Sequence, residues 1–295
     1  MKKFLKKIIF FLIILSIINI VLYVFLTKEV VFGKYVFNEK NFEDYDVFLL
    51  SDSHGEALKN LTNEFGICNF SYVGDNYQDM YYKLSFLLPH LDEKDLVLIT
   101  VNNHTLSTYR DVSANTKRNL IYVNSIESLY DENLQNEYLI SNLFKRIPIF
   151  QTNYGRFYFD YMRNKSKGNI FVNEKFNKIP IEEREKLVHN RFQQQFVGYE
   201  VSDKGSFFLK KIIKLSDNNK FKLIGIKYPV TSLYHETIGE FDMKAQELLL
   251  LNDVEVVDFQ DKMSFPDSLF KDQDHLNKEG AMVLLKKLNS ILVNN

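Results

Sequence analysis

One cysteine and no tryptophan occur in 295 residues. The lone Cys68 excludes an intramolecular disulfide, and its apolar surroundings read as those of a buried, inert thiol. With no cysteine pattern, the redox compartment goes unread. An excess of either charge is also missing, since 37 Lys and Arg face 38 Asp and Glu. A general nucleic-acid binder would carry a basic excess or stripe, so no nucleic-acid partner is expected. Internal repeats and low-complexity tracts are absent, and the length suits one ordinary to large domain or two small ones. What is plentiful is Phe (26) and Tyr (17), with Lys and Asn, a bias that reads as genome composition and not as function.

The only long apolar run lies at the N-terminus. Lys2, Lys3, Lys6 and Lys7 precede Ile8–Leu26, which is uncharged and interrupted only by Ser16, Asn19 and Tyr23. As a helix this run would span roughly 28 Å, about the thickness of a hydrocarbon core. The lysines predict a cytoplasmic N-terminus, with everything after Thr27 outside. A cleaved signal peptide is the competing expectation, but the run exceeds the usual apolar region of one and no Ala-x-Ala-like site follows. No cysteine near its end offers a lipid attachment point. Residues 1–28 are therefore expected to be a stub and single-pass anchor in the plasma (inner) membrane, with lipid as a partner, and 29–45 a connector.

From residue 46 onward strand and helix signals alternate. Asp46–Leu50, Cys68–Val73, Leu96–Val101, Phe221–Ile226 and Val254–Phe259 read as strands. Helical patterns cover Glu56–Phe65, Met80–Leu88, Phe241–Leu251 and Lys278–Leu292, the last with Ala281, Met282, Leu284, Leu285, Leu288 and Ile291 on one face. Such alternation implies βαβ units and a flavodoxin-like three-layer α/β/α sandwich with a parallel sheet. From about 105 to 200 the alternation fails, and Tyr154–Tyr161 forms a dense aromatic cluster. This stretch is expected to be an insertion packed over the carboxyl edge of the sheet, a lid or a partner surface.

Candidate chemistry gathers where strands end. Ser51-Asp52-Ser53-His54, Gly74-Asp75-Asn76 and Asn102-Asn103-His104 follow the first three strands, and Asp272-Gln273-Asp274-His275 precedes the last helix. Open α/β sheets bind ligands at that edge. Serine, histidine and aspartate meeting there suffice for acyl transfer: the histidine takes the serine proton, the aspartate orients the imidazole, and N–H donors hold the oxyanion. The plainer alternatives are that Ser53 caps a helix, and that Asn102 and Asn103 are loop formers. Asp52, His54 and Arg110 are candidates for contacting substrate. Asp274 is an alternative orienter of His275, though an adjacent residue is poorly placed for a triad.

These blocks resemble the SGNH (GDSL-like) hydrolase superfamily. Ser51-Asp52-Ser53 matches its Gly-Asp-Ser block with serine for glycine, Gly74 suits the second block and Asn103 the third. Asp272-x-x-His275, continued by Leu276, Asn277 and Gly280, matches its last. The resemblance implies Ser53 as nucleophile, His275 as base and Asp272 as its orienting carboxylate. It assigns the oxyanion hole to the Ser53 and Gly74 N–H groups with the Asn103 side chain, and calls for no metal or other cofactor. It further implies an esterase or O-acyltransferase on cell-envelope glycan esters, with a membrane-bound acyltransferase as a candidate partner. Asp52-x-His54, Gly74-Asp75 and Asn103-His104 also look like opening blocks of calcineurin-like two-metal phosphoesterases. That family's closing Gly-His-x-His block is missing here. A non-catalytic, glycan- or partner-binding member is the third alternative.

Overall fold

A computed structural model describes residues 2–24, 42–59, 61–111, 115–123, 129, 132–143, 175–260 and 265–293. In chain order the elements are α1 (Lys2–Leu22), β1 (Val47–Leu50), α2 (Ser53–Glu56), β2 (Ile67–Asn69), α3 (Tyr77–Leu87), β3 (Leu96–Thr100), α4 (Thr116–Asn119), α5 (Glu132–Leu143), α6 (Ile181–Gln195), α7 (Asp203–Asn219), β4 (Lys222–Lys227), α8 (Ser232–Ile238), α9 (Ala245–Leu250), β5 (Glu255–Asp258) and α10 (Lys278–Val293). Short 3-10 turns lie between several of them.

The chain divides into two units, residues 1–41 with 125–170 and residues 42–124 with 171–295. In the first, α1 is long and apolar enough to cross a bilayer and fits either a membrane anchor or a signal sequence. The Tyr154–Tyr161 cluster and the connector up to residue 41 lie outside the described residues.

The second unit holds a five-stranded, all-parallel sheet in the order β2-β1-β3-β4-β5. This is the flavodoxin-like order that the alternating pattern predicts. Continuous apolar runs make the central strands because both faces are covered. Phe48, Leu49, Leu50, Val97, Leu98 and Ile99 are fully buried, at about 1.5–3 kcal/mol each for the larger side chains. On one flank α7 packs against α3 and also touches β4 and α9. It buries Phe208, Leu209, Ile212 and Ile213, spaced to form one helical face. Elsewhere α10 packs on the 3-10 turn Thr62–Phe65, burying Ala281, Leu284, Leu285 and Leu288.

Helix starts differ from the pattern-based expectation for a reason of capping. A capping box sets the start of α3: the Asn76 side chain accepts from the Asp79 N–H, and Asp79 accepts from the Asn76 N–H, both at 3.1 Å. It therefore begins three residues before Met80. The helix expected over Glu56–Phe65 is instead α2 and a 3-10 turn at Thr62–Phe65 closed by left-handed Gly66.

Candidate active site

The turn after β1 is built from small residues packed tightly. Asp52 is the N-cap of α2, accepting from the His54 N–H at 3.0 Å, so capping falls to Asp52 and not to Ser53. Ser53 is the first helical residue and is half-buried. Its own N–H has no acceptor among the described residues, as the geometry of a helix N-terminus dictates. Ser51 Oγ accepts from the Gly55 N–H at 3.2 Å and closes the turn.

The other half of the site is the loop before α10. Asp272 Oδ1 accepts from the backbone N–H of both Asp274 (3.1 Å) and His275 (2.8 Å), curling the loop around its own carboxylate. The His275 ring then meets Asp272 through Nδ1, at 2.9 Å to Oδ1 and 3.1 Å to Oδ2. Its Nε2 lies 2.7 Å from Ser53 Oγ, across 222 residues of sequence. Two anchors hold this loop in place. Thr231, just past β4, donates from N and Oγ1 to the Gln273 carbonyl at 3.1 and 3.0 Å. Asn277 accepts from the Gly280 N–H (3.0 Å) and donates to the Ser268 carbonyl (2.9 Å). A Cβ on Gly280 would strike the Leu269 carbonyl, so the glycine is required for that closeness.

Ser53, His275 and Asp272 thus form one hydrogen-bonded relay. No family profile and no curated protein matches the sequence. Among solved structures the chain is similar to a GDSL-like lipase from Bacteroides thetaiotaomicron (11% identity, TM-score 0.38, covering 85% of this chain and 89% of that one). It is also similar to a candidate acylhydrolase from Bacteroides fragilis (12%, TM-score 0.36, covering 84% and 86%).

Of the candidates for contacting substrate, Asp52 and His54 are buried behind the relay and Arg110 is part-buried beside them. Asp52 and His54 are 0% and 4% exposed. Asp52 Oδ1 lies 2.8 Å from His54 Nδ1, and Arg110 donates to Asp52 Oδ2 at 3.2 Å. Burial alone would raise the Asp52 pKa, but His54 and Arg110 hold it well below the usual carboxylate range. The His54 ring stacks on His275, with centroids 4.8 Å apart and planes 22° apart. Asn102 Nδ2 sits 3.3 Å from His54 Nε2, and Asn102 Oδ1 accepts from the Tyr228 N–H at 2.7 Å. The two ring nitrogens of His54 are thus both engaged, Nδ1 with Asp52 and Nε2 with Asn102. Burial and Arg110 likewise push the His104 pKa well down.

The oxyanion candidates lie after β1, β2 and β3. Gly74 has φ +81°, the left-handed region glycine favours. Asn103 gives one amide N–H to the Phe241 carbonyl at 3.0 Å.

The carboxylates a two-metal reading would use already carry cations of the chain itself. Arg110 is on Asp52 and Lys83 is on Asp75, both buried pairs. His54, Asp274 and His275 do offer ligand atoms within 4.8 Å of one another. The two imidazoles are stacked face to face, however, so their in-plane lone pairs do not converge on one ion, and Asp274 is occupied by Arg191.

The His275 Nδ1 hydrogen bonds go to Asp272, while Asp274, the alternative orienter, lies at ion-pair distance from the ring. Its Oδ1 is 3.1 Å from His275 Nδ1. Its Oδ2 accepts from Arg191 Nε and Gln195 Nε2, each at 2.8 Å. Tyr234 Oη in turn donates to Gln195 Oε1 at 2.5 Å. Sequence reasoning missed Arg191, Gln195 and Tyr234. The polar Arg-Phe-Gln-Gln-Gln-Phe run at the end of α6 was their only signal.

Proposed function

We propose that the chain is an SGNH-type serine esterase or O-acyltransferase, held at the membrane by α1 and acting outside the cytoplasm on acyl esters of cell-envelope glycans. The observation that carries the reading is the unbroken relay from Ser53 Oγ through His275 to Asp272, at 2.7 and 2.9 Å. Ser53 Oγ attacks the acyl carbonyl while its proton passes to His275 Nε2. The imidazolium formed is held at Nδ1 by Asp272. The uncommitted Ser53 N–H is aimed from a helix start at developing negative charge, with Gly74 and Asn103 as the remaining donors. His275 returns its proton to the departing sugar oxygen, which leaves an acyl-Ser53 ester. Water or an acceptor hydroxyl, deprotonated by His275, then takes the acyl group. A transferase would receive that group from a membrane-bound acyltransferase partner.

The test is fluorophosphonate labelling of the full chain in alkali-washed membranes, beside Ser53→Ala and an EDTA-treated sample. A labelled membrane band that survives EDTA and vanishes in Ser53→Ala is expected. Labelling that persists in Ser53→Ala, or a phosphodiesterase activity that manganese restores and Asp52→Ala abolishes, would overturn the serine reading.

A further inference from the structure

The base in this relay has two carboxylates at one ring nitrogen, and they differ in kind. Asp272 makes the shorter hydrogen bond, but its side chain is 37% exposed, against 1% for Asp274. Charge at an exposed carboxylate is screened by solvent, whereas charge in a buried one is felt almost in full. Asp274 also has no acceptor capacity to spare. Arg191 and Gln195 converge on Oδ2, while Oδ1 accepts from Gln273 Nε2 at 3.2 Å and lies 3.1 Å from the ring nitrogen. Tyr234 fixes the Gln195 amide so that its N–H₂ end faces the carboxylate. So elaborate a cage exceeds what a loop clip needs, since Thr231 already ties Gln273 down through two hydrogen bonds.

We propose that Asp274 is a positioning residue that sets the basicity of His275, with Arg191 as its opposing charge. This rests on the reading of Ser53 and His275 as nucleophile and base. Among the described residues, the charged or titratable groups facing His275 come from four elements. Asp272 and Asp274 come from its own loop, and Ser53 and the stacked His54 from α2. Arg191 reaches it from α6 through Asp274, and Tyr234 from α8 through Gln195. Asp274 lies nearer the ring than Arg191 does, so the pair's net effect favours the imidazolium. Burial disfavours the charged ring, but Asp274 and Asp272 outweigh that and lift the His275 pKa above its ordinary value. A strong base results, and the deprotonated form needed for attack accumulates only on the alkaline side.

The rate of fluorophosphonate labelling against pH, on the full chain in detergent, tests this. Wild type is compared with Asp274→Asn, Arg191→Gln and the double variant, which removes both charges and so spares the fold an unpaired buried ion. Asp274→Asn is expected to move the acid limb down by about 1–3 pH units, a tenfold to thousandfold change in the protonation equilibrium. Its plateau rate should also fall, because a weaker base accepts the proton less readily. Arg191→Gln should move the limb up, with the double variant between the two. Shifts of the same sign, or none beyond about 0.3 unit, would make Asp274 a structural clip and overturn the proposal. Ser53→Ala, run alongside, reports failure of the serine reading separately. In that event, ring-¹³C histidine spectra of the same proteins, with the His275 signal located by its loss in His275→Gln, still decide the charge proposal by the order of midpoints.

Discussion

Gly55→Ala probes whether the turn after β1 positions Ser53. A Cβ at Gly55 would lie 2.5 Å from Ser51 Cβ and would also collide with Ser71 Oγ. Ordinary contact begins at 3.4 Å, so something must retreat by about 0.9 Å. The walls resist: Ser51 and Ser71 are each 1% exposed, and the Ser51 carbonyl accepts from the Tyr72 N–H at 3.2 Å. The turn that carries Ser53 must therefore move. A displacement near 1 Å takes the 2.7 Å Ser53–His275 hydrogen bond beyond hydrogen-bonding range. The expected cost is about 1–3 kcal/mol of stability from overpacking and up to about 100-fold in the labelling rate from misplacement. Rate and thermal midpoint are measured on the same preparation. A well-folded Gly55→Ala protein that labels within about twofold of wild type would refute the idea that this turn sets the nucleophile's position.

Lys83→Met should be severely destabilising, because it strands the fully buried Asp75 carboxylate that also receives Asn115 at 3.1 Å and Asn119 at 3.3 Å. Breaking such a pair costs about 3–5 kcal/mol, or on the order of 10 °C in melting temperature, and a melt within about 2 °C of wild type would contradict it. The His275 pKa, raised to about 10, makes a linkage prediction. A folded-state pKa above the unfolded value stabilises fully below the unfolded pKa of about 6.5 and loses that contribution as pH rises through the folded one. Denaturant midpoints at about pH 6 and pH 10.5 should therefore fall further in wild type than in His275→Gln, and equal falls would negate it.

The sheet was legible because a strand buried on both faces is a continuous apolar run, and Val47–Leu50 and Leu96–Thr100 are such runs. Helix starts were less so, because Asn76 opens α3 with a polar box ahead of the first apolar position. At the site, the Asp-x-x-His spacing is local enough to read: one carboxylate accepts both the backbone N–H and the ring nitrogen of His275. The same local logic recurs in Asp52-x-His54, yet only burial shows that this second pair faces inward. Asp274 was legible only as an alternative orienter, because its reach to His275 depends on the loop curling around Asp272. Arg191 lies 83 residues away on a helix with no periodic link to the site.

Charge is distributed unequally among the carboxylates at this edge of the sheet. Asp52, Asp75 and Asp274 are buried, and each is matched by its own cation: Arg110, Lys83 and Arg191. Buried carboxylates require such partners. Asp272 differs, for among the described residues no lysine or arginine pairs with it, and His275 is its only ionic partner. In the proposed reaction, starting from deprotonated His275, the proton from Ser53 places the new positive charge on the one ring that faces an unmatched anion. The three matched pairs can hold the loops in register without drawing on that anion. Placing Asp272 at partial exposure makes an unmatched carboxylate less costly once His275 is deprotonated for attack, and proton transfer from Ser53 would complete the fourth pair.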